Sequence, residues 1–187
     1  MRRQRNLLGP QGMGGLVSLW GASSLIKSVQ TGEIQTNTNP NTATINAVNT
    51  ANSIICWQNC SHTTANTNLV VIVGHLALTN ATTVTATQSS NYNSFYPFTV
   101  VEFLPGVLRS VQSALVTQSG FSVATTINAV NTAKSMLMFL GQTGGGGAPP
   151  ADTYTAKFVL TNSTTVTSST FATAGGFDGR FQVIEFF

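Results

Sequence analysis

Thr44-Ile45-Asn46-Ala47-Val48-Asn49-Thr50-Ala51 recurs letter for letter as Thr126-Ile127-Asn128-Ala129-Val130-Asn131-Thr132-Ala133, 82 positions downstream. The same shift carries Ser28-Val29-Gln30 onto Ser110-Val111-Gln112, Leu78-Thr79-Asn80 onto Leu160-Thr161-Asn162, and Thr82-Thr83-Val84-Thr85 onto Thr164-Thr165-Val166-Thr167. Val101-Glu102-Phe103 matches Ile184-Glu185-Phe186 one residue later in register. Matches spread along a whole unit at one offset describe an internal duplication, so whatever small fold the chain adopts, it adopts twice.

Within each unit the hydrophobic pattern is short, period-2 and rich in β-branched residues, with no convincing amphipathic helix. Strands are expected near 28–34, 43–48, 53–58, 68–79, 82–88 and 95–103, then near 110–116, 121–130, 135–140, 153–161, 164–170 and 180–186. That spacing is the rhythm of an antiparallel sandwich. The expected fold class is all-β: two tandem antiparallel β-sandwich domains, residues 28–106 and 107–187, preceded by an extended N-terminal arm, residues 1–27. Ile45 and Ile127, and Val84 and Val166, should occupy matching buried positions. Leu104-Pro105-Gly106 leaves almost no slack between the units and should hold them fixed. Asn49 and Asn131 should close turns by bonding the backbone two residues on.

Only 7% of residues are charged, against roughly 25% in an ordinary chain; Thr, Asn, Ser and Gln supply the polar surface. With 42% hydrophobic residues this is not a disordered composition. Arg2, Arg3 and Arg5 account for the whole net charge of +3, since the other basic residues balance the five acidic ones. A neutral body argues against nucleic-acid binding, which needs a basic stripe. No apolar window reaches a membrane span, and Gly9 and Pro10 interrupt the leader before it resembles a signal peptide. Leu16, Leu19 and Trp20 form an apolar cluster with no counterpart in the second unit. Together with Arg2, Arg3 and Arg5 they are the candidate partner-docking residues.

Candidates for chemistry are few. Cys56, Cys60, His62 and His75 are the only residues that suggest a metal, and their equivalents in the second unit include Met138, Gln142 and Lys157. A site confined to one copy is not part of the fold, and no metal or other cofactor is expected. Cys56, in the run Ile54-Ile55-Cys56-Trp57, reads as a small core hydrophobe. Glu102 and Glu185 are equivalent copies rather than a catalytic pair; each alternates with apolar neighbours and is expected to face solvent or an interface. Gly144 to Gly147 lack the Lys-Ser/Thr of a phosphate loop. No catalytic residue is assigned, and an enzyme is not expected.

The unit that opens on Ile26-Lys27-Ser28-Val29-Gln30, passes through Thr44 to Thr50 and Leu78 to Ala86, and closes on Val100-Val101-Glu102-Phe103 resembles a small β-sandwich unit of tailed-bacteriophage structural proteins. The resemblance covers residues 26–187 in both copies and leaves out the leader. It implies a non-enzymatic virion component, on the particle surface as a head decoration or head fibre, anchored by its arm to other virion proteins. The alternatives are a tail fibre or adaptor with receptor-binding loops near 59–68 and 142–152, or a secreted carbohydrate-binding adhesin using Tyr92, Phe95 and Tyr96. Open sheet edges on small, charge-poor sandwiches further predict a homo-oligomer, a trimer above all.

Overall fold

The structure, a computed structural model, describes residues 25–63, 73–89, 91, 93–118, 120–144, 156–170 and 176–187. Arm residues 1–24 and the expected strand residues 68–72 lie outside them. The first repeat contains β1 (Ile26–Thr36), β2 (Asn41–Thr44), β3 (Ser53–Trp57), β4 (Ser61–His62), β5 (Gly74–Asn80), β6 (Thr83–Gln88) and β7 (Ser94–Phe103). The second contains β8 (Leu108–Gln118), β9 (Ser122–Thr126), β10 (Ser135–Thr143), β11 (Lys157–Asn162), β12 (Thr165–Ser169) and β13 (Phe177–Phe186). Ile26 and Lys27, assigned to the arm from the sequence, belong to β1.

Strand order is the same in both repeats. β1-β7-β3, with β4 also on β7, matches β8-β13-β10, and β2-β6-β5 matches β9-β12-β11; the pairings are antiparallel. Alternation sets what is inside. Tyr96, Phe98 and Val100 of β7 point into the first core with Ile34, Ile55, Leu76 and Val84. Val116, Ile127, Val130, Val166, Phe181 and Val183 form the second. Val84 and Val166 are fully buried and Ile127 is buried, while Ile45 is half-buried against the first core. Residues 45–48 leave the strand early because the backbone N–H groups of Ile45 and Val48 donate to the Thr82 and Ala81 carbonyls of the β5–β6 turn.

The repeats are not separate bodies. β5 bonds β10 with His75 opposite Gly141, making one sheet of order β2-β6-β5-β10-β13-β8. Leu140 of β10 is wholly buried in the first repeat's core. A further apolar cluster, Ile54, Leu108 and Ile184 with Val101, Phe103, Val111 and Met138, spans both repeats. Aromatic contacts run from Trp57 to Phe139 and on to Phe158 and Phe181, and the Ile55 N–H donates to Gln182 Oε1 at 3.2 Å. The 106/107 boundary divides the chain but not the packing. Leu140→Ala is therefore expected to cost about 3 kcal/mol. Hydrogen exchange should register the loss in β5 and β7 of the first repeat, although the substitution lies in the second.

The molecule has two distinct ends. Ile26 pairs with Phe103 and Leu108 with Phe186 at one end, the base. Thr36, His62 and Ser94 lie at the other, the tip, with Gln118, Thr143 and Phe177. β7, ten residues long, separates the two by about 30 Å. Because β5 and β10 meet antiparallel near their tip halves, the two tips lie side by side, and so do the two bases. The linker turn at the base closes with a bond from the Val107 N–H to the Leu104 carbonyl and uses Gly106 at φ +86°.

Candidate functional site

The repeated polar residues build the base. Glu102 Oε1 accepts the Asn49 N–H at 2.9 Å, and Glu185 Oε1 accepts the Asn131 N–H at the same distance. Ser28 and Ser110 donate their hydroxyls to the second carboxylate oxygens at 3.3 and 3.4 Å. Asn49 and Asn131 each accept from the backbone two residues on, at 3.0 Å, starting short 3-10 turns at Thr50–Asn52 and Thr132–Lys134. Gln30 and Gln112 bridge both backbone polar groups of Asn46 and Asn128. Asn80 and Asn162 cap the β5–β6 and β11–β12 turns.

Both carboxylates are buried, 2% and 4% exposed, rather than facing solvent or an interface as their apolar neighbours suggested. Val101, Phe103 and Ile184 take the opposite face because that face is covered by the other repeat. Glu102 is covered yet shallow, with the half-exposed Lys27 ammonium 2.9 Å away as its lid. Burial alone would raise its carboxyl; the Asn49 N–H, Lys27 and Ser28 outweigh that together and hold it below the usual 4.5. The hydrogen bonds that Glu102 and Glu185 make here fall within their own repeats and tie the base together.

The tips are built from residues the repeats do not share. In the first, Asn39 bonds both backbone groups of Gln88, Gln35 donates to Asn93 at 2.8 Å, and Asn93 donates to Thr63 at 3.0 Å. Their equivalents include Thr117, Phe121 and Thr170. In the second, Thr117 donates to Asp178 at 2.6 Å, Gln118 reaches the Gly120 carbonyl at 2.6 Å, and Phe121 is exposed. The described residues Thr63 and Val73, and Gly144 and Ala156, lie at this end. Tyr96, one of the aromatics considered for stacking on sugar, is fully buried in the core; Phe95 is half-buried, and Tyr92 lies outside the described residues.

His75 sits at the joint between repeats, 4% exposed, with no hydrogen-bond partner for its Nδ1. Burial draws its pKa from 6.5 down to about 4; the Arg180 charge adds to the fall and Asp178 opposes it. The unfolded chain thus takes up this proton near pH 6.5, the folded one only near pH 4. Stability should be complete above pH 6.5 and decline by about 3 kcal/mol as the pH falls toward 4. Urea unfolding at pH 7 and pH 4.5 checks this, and His75→Gln should remove most of the difference.

Cys56 and Cys60 form no disulfide and are half-buried, and burial pushes both thiols up, away from nucleophilic thiolate. Cys56 packs in the cluster between the repeats rather than inside the first core. Among the described residues no three His, Cys, Asp or Glu side chains are placed to hold a metal ion, and no helix is long and apolar enough to cross a membrane. A groove of about 310 Å³ between the repeats is lined by Thr50, Ala51 and Ser53 on one side and Val111, Ser113 and Gln182 on the other, with no ionisable side chain. Arg2, Arg3, Arg5, Leu16, Leu19 and Trp20 lie outside the described residues, which begin at Leu25, at the base. Comparisons with protein-family models, curated proteins and solved structures found no match.

Proposed function

We propose that this chain is a non-enzymatic structural component of a tailed-phage particle, displayed on the virion surface as a head decoration or head fibre. The observation that supports this reading is the division of the sequence between the two ends. Residues identical between repeats cluster at the base, where they staple the fold, while the tips are built differently in each copy. Residues 1–24 join the body at the base, so an anchor there would direct both tips outward. Large apolar side chains such as Leu16, Leu19 and Trp20 supply roughly 1.5–3 kcal/mol each when fully buried. Deleting residues 1–24 is expected to leave thermal unfolding unchanged while abolishing cosedimentation with particles. If the truncated chain still cosediments, the anchor lies elsewhere.

The divergent tips equally suit a tail fibre or adaptor whose loops meet a receptor, and immunogold labelling of intact particles separates head from tail. The homotrimer belongs to the same proposal. β1 is an edge strand with Ile26 and Val29 exposed, a surface that self-association would cover. Mass measurement on the purified protein decides it.

A further inference from the structure

The contact between β5 and β10 is heterologous: one edge of the first repeat meets a different edge of the second. Such a joint can in principle be repeated without limit, because each repeat carries both edges. The counterparts left over are β11, equivalent to β5, and the β3–β4 edge, equivalent to β10. Among the described residues β11 pairs only with β12, and β3 and β4 pair only with β7; the Ile55 N–H of β3 is taken by Gln182 of the second repeat, so the edge in question is its tip half, from Gln58 to His62. A second copy of this chain could therefore add head to tail, its β3–β4 edge against β11.

We infer that this assembly surface is present but held shut by three residues, Gln58, Asn59 and Lys157. Each replaces a residue on which the internal joint depends. Leu140 is wholly buried in the neighbouring core; its equivalent Gln58 is exposed and bonded to Thr99 Oγ1 at 2.9 Å. Insertion would break that bond and bury an amide among apolar side chains. Gly141, at φ +97°, lies so close to β5 that a Cβ there would fall 2.9 Å from the His75 Cα and closer still to the Gly74 carbonyl oxygen. Its equivalent Asn59 keeps the left-handed conformation, φ +79°, but carries that Cβ. Both obstructing atoms are backbone and cannot rotate aside. His75 is a buried neutral imidazole; its equivalent Lys157 is exposed and would bring an ammonium into the same dry position. An apolar plug, a missing side chain and a neutral ring thus become an amide, a Cβ and a charge. Repeat arrays end in the same manner, with a polar outer face on the terminal repeat.

The inference rests on the joint alone and is independent of the virion proposal. The test compares the full chain with its Gln58→Leu/Asn59→Gly/Lys157→His variant by light scattering across a range of concentrations, together with amide exchange of β11. The variant is expected to grow in mass with concentration and to slow β11 exchange by about tenfold at high concentration. The unsubstituted protein should keep the same β11 exchange rates at every concentration, whatever oligomer it forms through other surfaces. A folded variant that retains the unsubstituted protein's mass would overturn the inference. So would concentration-dependent protection of β11 in the unsubstituted protein, a measurement that stands even where the variant does not fold.

Discussion

Gly141→Asn is expected to destabilise the protein by about 3 kcal/mol, at the upper end for an overpacking substitution. The residue introduced is the one the first repeat carries at the equivalent position, Asn59, which adopts φ +79° there. Asn tolerates a positive φ better than other side chains, so backbone conformation at φ +97° is the smaller part of the cost. The larger part is the new Cβ, which meets the Gly74 carbonyl and the His75 Cα across the joint. To make room, β10 must withdraw from β5, drawing Leu140 out of the first core. Chemical denaturation should show the loss, and exchange at β5 should rise well before exchange at β9 or β12. Gly141→Ala shares the clash and lacks the tolerance of Asn for a positive φ, so it should be at least as costly. If both substitutions are neutral, β5 and β10 are not held as closely as the geometry indicates.

Glu102→Ala and Glu185→Ala are each expected to cost about 2–3 kcal/mol, from the loss of the charge-assisted, partly buried bond that holds the Asn49 or Asn131 backbone N–H. The Lys27 pair contributes little of this, because its ammonium is half-exposed. The two sites share no partner, so the double substitution should be close to additive. Glu→Gln at either position keeps an oxygen for the Asn49 or Asn131 N–H and should cost less. At Glu102 the pH dependence has a definite sign. The folded carboxyl is held below its ordinary 4.5, so its stabilisation is complete above that value and is lost as the pH falls through the folded one. Glu102→Gln should flatten this acid limb, whereas His75→Gln should flatten the limb between pH 6.5 and 4.

The all-β architecture was legible because period-2 alternation and an 82-residue repeat are both local signals. The inward direction of Glu102 was not. With Val101 and Phe103 beside it, one-sided burial argues that the acid faces out; here both faces of β7 are covered, one by its own sheet partner layer and one by the other repeat. A usable signal existed in the joint repetition of Ser28, Asn49 and Glu102 as Ser110, Asn131 and Glu185, since a polar set retained together in both copies marks one hydrogen-bonded cluster. The joint was illegible for the opposite reason. It depends on positions where the copies differ, Leu140 against Gln58 and Gly141 against Asn59, and a comparison that looks for matches passes over them.

Holding the two tips side by side on one stiff body bears on avidity. A partner surface that offers weak sites at a matching spacing meets the second tip without a second diffusional encounter. For two modules joined this closely the local concentration is on the order of millimolar. Contacts too weak to hold alone then hold in pairs, provided the spacing fits. A surface with the wrong spacing would gain nothing, so for any such partner the stiffness of the joint would act as a ruler.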